Sequence, residues 1–228
     1  MSGQFVRRLA AIALVAGAGL SSATAAPQAA DESPEALIQR TKAPSATYSL
    51  YQWMVQRGDE GEVMDAWFAE FNSGDWHRVE RPMGRAITNC RTHEGYIYIA
   101  ETHETQADDE LWITACGVST YSQILAADRA PSVGTPRYGT LDMLKVTEAK
   151  TTRWYAIDRN GVLIRSQWTA TNGSPSPCMQ VEPIAMTMKL PSQDMFTRES
   201  LTRSFTPARY QVRPKDFPEN GIAGHRCG

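Results

Sequence analysis

The sequence predicts a mainly β (α+β) protein: a single curled antiparallel sheet or unclosed β-barrel of about nine to ten strands, with two or three short helices. Three observations predict it. Apolar and polar residues alternate in short runs from Tyr48 onward. Turn residues separate those runs at roughly ten-residue spacing. No second apolar stretch approaches the length of a membrane span. A sheet of that many strands cannot stay flat, because strand twist accumulates until the sheet curls into a sandwich or a barrel.

The chain opens with the layout of a secretory signal peptide. Arg7 and Arg8 form a basic start, Leu9 to Leu20 is apolar and uncharged, and Ala23-Thr24-Ala25 supplies small residues for cleavage. A membrane anchor is the alternative, but twelve residues at about 1.5 Å each fall short of the roughly 30 Å hydrocarbon core. The expected layout is therefore a signal peptide at 1–25 and one β-rich domain at 26–228, ending in a Pro/Gly-rich tail. After cleavage no transmembrane segment is expected, and the location is the periplasm or the secreted space. Without Arg7 and Arg8 the 23 basic residues become 21 against 25 acids, a net charge of −4. Neither that charge nor any Lys/Arg cluster suits a nucleic acid or an anionic membrane surface.

Ser33-Pro34-Glu35 reads as a helix start, with Ser as N-cap, Pro in the first turn and an acid near the positive end of the helix dipole. Pro44 ends it. Strands are expected at 48–57, 62–71, 76–81, 85–90 and 96–100. Residues 101–136 read as an excursion off the sheet, with a polar acidic linker, the segment 111–116 and a helix at 119–129 covering one face or mouth. Strands resume at 141–147, 151–158 and 162–171, the last two joined through Asn160-Gly161, a strong hairpin signal. Cys178 to Val181 and Ile184 to Leu190 complete the sheet, and a further helix is expected at 193–201.

Four cysteines occur, Cys90, Cys116, Cys178 and Cys227. An even number in an oxidising compartment implies two disulfides, and three pairings are possible. Cys90–Cys116 with Cys178–Cys227 is preferred because each closes a modest loop within one half of the chain. A bridge to Cys227 would pin the tail. No two cysteines stand at zinc-ligand spacing, so no metal site is expected, and no cofactor.

Six tryptophans, Trp53, Trp67, Trp76, Trp112, Trp154 and Trp168, stand out. They either pack a core or line an apolar cavity in a curled sheet. Methionine adapts to variable apolar ligands, and Met54 and Met64 lie on opposite arms of the first hairpin while Met179, Met186, Met188 and Met195 crowd the last part of the chain. Trp53, Met64, Trp67, Trp154, Trp168 and Met186 are the candidate cavity lining. No nucleophile, Walker or Rossmann motif is present. The histidines at 77, 93, 103 and 225 lack ligand spacing, and the acids between Glu101 and Glu110 lack the glycine-turned spacing of a calcium loop. No catalytic residue is assigned.

The run Tyr48 to Arg81 and the segment Trp154-Tyr-Ala-Ile-Asp-Arg-Asn-Gly-Val-Leu-Ile-Arg165, in an exported chain with a short N-terminal helix, resemble the periplasmic lipoprotein-carrier (LolA-like) family. The resemblance implies an unclosed β-barrel and a concave apolar surface for acyl chains. The expected function is non-enzymatic binding of a hydrophobic ligand, a lipid or a lipoprotein's acyl chain. One alternative is an interaction or sensor domain with a filled core and an envelope protein as partner. Another is a hydrolase with dispersed residues.

Overall fold

A computed structural model describes residues 32–119, 122–171 and 177–227. The expected signal segment, the leader at 27–31 and most of the loop at 172–177 lie outside the described residues. Ser33 caps α1 (Pro34–Lys42), its hydroxyl accepting from Ala36 N. Five strands follow as a meander: β1 (Tyr48–Arg57), β2 (Val63–Ser73), β3 (Trp76–Arg81), β4 (Gly84–Asn89) and β5 (Gly95–Ile99). After β6 (Glu104–Ala107) and the short α2 (Leu111–Ala115) come β7 (Ile124–Thr135), β8 (Gly139–Glu148), β9 (Thr151–Ile157), β10 (Leu163–Ala170) and β11 (Cys178–Thr187).

All of these strands form one eleven-stranded antiparallel sheet in the order β6-β5-β4-β3-β2-β1-β11-β10-β9-β8-β7. Every neighbour pair is consecutive in the chain except β1 with β11, so the last strand returns to the first and two meanders share that seam. Among the described residues β6 and β7 form the two edges and no pairing joins them, so the sheet is unclosed.

Four expectations are corrected. The helix expected at 119–129 is instead largely β7, paired with β8 from Ile124↔Glu148 to Thr135↔Gly139. The edge of β8 needs a partner, and Ile124 and Ala127 bury against the cluster of Leu37, Leu144 and Ile157. Tertiary pairing thus overrides the local helix preference of Ile-Leu-Ala-Ala. The acidic stretch at 101–110 contains β6, and the last two expected strands are one, which brings the count to eleven. The helix expected at 193–201 is two 3-10 turns, Gln193–Phe196 and Glu199–Thr202.

The two sides of the sheet are covered differently. On one side α1 buries Leu37 and Ile38 on Leu144, Val146, Tyr155 and Ile157 of β8 and β9. The end of α1 comes so close to two turns that only glycine fits there. A Cβ at Gly117 (φ +71°) would lie 2.4 Å from Thr41 O, and one at Gly161 (φ +85°) 2.3 Å from Arg40 O. Thr41 Oγ1 accepts from Val118 N at 3.0 Å, and Lys42 donates to Val118 O. This joins α1 to the segment after α2, and Cys90–Cys116 ties that segment to the end of β4. On the other side, residues 184–210 pack Ile184, Leu190, Met195, Phe205 and Tyr210 on Tyr51, Ala69 and Phe71. Cys178–Cys227 anchors the tail beyond them. Both disulfides are thus the pairing preferred from loop length, and among the described residues no cysteine is free. No described helix is long and apolar enough to cross a membrane.

Candidate functional site: a cavity on the concave face

The even-numbered side chains of β1 and β2 and the odd-numbered ones of β3 share one face, because alternation is strict and the registers are unbroken between them (Tyr48↔Asn72, Asn72↔His77). That face encloses a cavity of about 510 Å³, within the roughly 300–1,000 Å³ span of small-molecule sites. Its lining is mostly apolar: Met54 and Phe68 from β1 and β2, Val79 from β3, and Ile97 and Ile99 from β5. Leu163, Met179 and Val181 of β10 and β11 continue the wall beside β1, where Val181 pairs with Met54 and Met179 with Gln56. Leu111 of α2, the end of α1 and the Cys90–Cys116 bridge line the rest of this partly open cavity.

A polar cluster is set into this wall. Glu70 stands opposite Leu50 on β1 and Val79 on β3, so Tyr48 and Gln52 flank it on one side and His77 on the other. The Tyr48 hydroxyl hydrogen-bonds Glu70. His77 Nε2 lies 4.0 Å from Glu70 Oε2, with only 6% and 15% of the two side chains exposed. Burial pushes the Glu70 carboxyl up to about 8, partly opposed by the Tyr48 bond. Burial also lowers His77 to about 4. At neutral pH both are therefore uncharged, and the contact is a polar one rather than an ion pair. Burial, then the neighbouring Glu70 and Asp158, raises the Tyr48 phenol well above its ordinary value. Gln52 is 2% exposed; its Nε2 donates to Ile164 O at 3.1 Å, and its Oε1 has no partner among the described residues.

The solved structures bear comparison at this point. The chain is similar to a LolA superfamily protein. That protein, from Nitrosomonas europaea, is 8% identical over 74% of this chain and 99% of its own, at a TM-score of 0.46. An uncharacterized conserved protein from Thermus thermophilus is 14% identical over 80% and 94%, at 0.43. A DUF1329 family protein from Desulfovibrio piger is 8% identical over 74% and 95%, at 0.35. No family model and no curated protein matches the chain. None of the site's chemistry rests on these likenesses.

The structure places the six side chains expected to line a cavity elsewhere, and none of them is among its lining residues. Trp53 and Trp67 oppose each other in register, but as odd-numbered residues they occupy the convex face, where Trp53 bonds to Asp65. Trp154 alternates away from the lining residues Arg153 and Tyr155 and lies 5.9 Å from the His225 ring. Met64 and Trp168 are on the concave face, in register with Gln56 and with Met179 respectively, but outside the cavity. Met186 packs on the cluster of Tyr48, Leu50 and Leu141. The expected set mixed odd and even positions of β2, which cannot share a face. Glu70, His77, Gln52 and Tyr48 were missed. The available signal was an acid at 70 on the face of β2 that also carries Met64, Ala66 and Phe68.

Proposed function

We propose that the protein binds a hydrophobic ligand, a lipid or an acyl chain, in the concave cavity and holds it without transforming it. The observation that carries this is the cavity itself: a partly open space with a mostly apolar wall, left unfilled by the chain's own Trp and Met side chains. A domain whose sheet was only a scaffold for partner binding would fill that space, since interiors close-pack. Each buried methylene contributes about 0.8 kcal/mol, so an acyl chain of moderate length outweighs the ordering costs of binding. The two disulfides support a location in the periplasm or the secreted space, where such bonds persist. Native mass spectrometry of the mature protein taken from its own periplasm, followed by lipid extraction, tests the reading. A co-purifying lipid or acylated peptide is expected. A clean apo mass that no added fatty alcohol, fatty acid or phospholipid shifts would overturn it.

A further inference from the structure

We propose that Tyr48, Gln52, Glu70 and His77 form a hydrogen-bonding subsite in the cavity wall that takes an uncharged head bearing a donor, a hydroxyl or a primary amide, in preference to a carboxylate. The inference rests on the cavity being a ligand site and specifies the polar end of that ligand. Gln52 is the decisive residue. Its amide is held in place by the bond from Nε2 to Ile164 O, which leaves Oε1 of this lining residue buried with no partner among the described residues. A buried amide oxygen without a donor is costly, and native proteins leave few of them.

The neighbours define what that donor can be. Glu70 and His77 are 4.0 Å apart, too far to satisfy each other, so both retain capacity toward the cavity. A hydroxyl can donate to Gln52 Oε1 while accepting from the Glu70 acid. A primary amide does the same with its NH₂ and carbonyl. A carboxylate has no proton for Gln52 and brings a charge into a wall where burial already holds Glu70 protonated and His77 neutral at pH 7. Three of the cations along the lining have partners within the chain. Arg153 pairs with Glu148 at 3.1 Å, Lys42 donates to Val118 O, and Arg85 donates to Leu201 O and lies over the Tyr98 ring. Arg81 stands at the exposed margin.

The test is displacement of the neutral probe N-phenyl-1-naphthylamine from the mature protein at neutral pH by dodecanol, dodecanamide, dodecyl methyl ether and dodecanoic acid. Dodecanol and dodecanamide are expected to bind about tenfold more tightly than the ether or the acid. Gln52→Met is expected to erase most of that preference. The ligand comparison on the unaltered protein decides the matter even if this variant does not fold. Equal affinities for alcohol and ether, as from a wall satisfied by water alone, would overturn the subsite and leave the cavity reading standing, as would tighter binding of the acid. Failure of every compound to displace the probe would remove both.

Discussion

The two faces of β2 and β3 carry buried polar groups of opposite fate. On the convex face Arg78 and Glu80 are both fully buried and bonded at 2.8 Å. Every remaining valence goes to the segment that covers them. Arg78 donates to Met195 O, Ser200 Oγ and Arg203 O, and Glu80 accepts from Phe205 N, Thr206 N and the hydroxyls of Ser204 and Thr206. On the concave face, one residue away from Arg78, His77 stands 4.0 Å from Glu70, and Gln52 Oε1 has no partner among the described residues. A satisfied buried network locks a fold, whereas an incompletely satisfied one beside open space leaves room for the proposed ligand to supply a partner. The same strands thus carry a clamp on one side and the proposed site on the other.

Breaking the clamp should have the largest effect. Arg78→Ala leaves Glu80 as an uncompensated buried charge, which costs about 3–5 kcal/mol. Thermal unfolding should show a large fall in Tm, and limited proteolysis should cut first within residues 190–210. Next, Cys178→Ser with Cys227→Ser opens a loop spanning a separation of 49 residues, costing about 2–5 kcal/mol. Chemical denaturation should register the loss, with the concave cavity still binding ligand in the folded protein.

On the concave side the effect is smaller and depends on pH. The folded protein holds Glu70 protonated up to about 8, against 4.5 ordinarily. The stability it contributes is complete below about pH 4.5 and lost as pH rises toward 8. His77, at about 4 against 6.5, acts in the opposite sense, and only between those values. Lys42, at about 8 against 10.5, contributes only above 8. Between about pH 6.5 and 8 Glu70 therefore acts alone among these three, and Tm should fall by about 5 °C across that window. Glu70→Gln should flatten the fall. A wild-type Tm that rises over the window would contradict the assignment. The smallest effect belongs to Trp67→Phe on the convex face, which should change ligand affinity less than about twofold in the same displacement assay.

Much of the architecture could be read from alternation and turns. The capped helix at Ser33 and the strands from Tyr48 to Ile99 fall where they were expected, as does the Asn160-Gly161 turn, where Asp158 Oδ1 accepts from Asn160 N and Val162 N. Strand β7 was hidden because its start has helical composition and its strand character comes only from β8. The cavity lining was hidden for a different reason. In β1 eight successive residues are buried, since residues 184–210 cover the convex face as thoroughly as the helices and cavity walls enclose the concave one. With both faces buried, alternation no longer marks the inside, and the large aromatic residues drew attention to the wrong one. Long-range packing of the C-terminal segment decides that question, and no local pattern encodes it.

The central claim is that the concave cavity holds an apolar chain. Anomalous diffraction from crystals of the mature protein grown with a terminally brominated dodecanol tests it most directly. The account predicts a bromine peak among Met54, Phe68, Val79 and Met179, with the hydroxyl at Gln52 and Glu70. A bromine peak only on the outer surface, with the cavity holding no ligand density at saturating concentration, would contradict it.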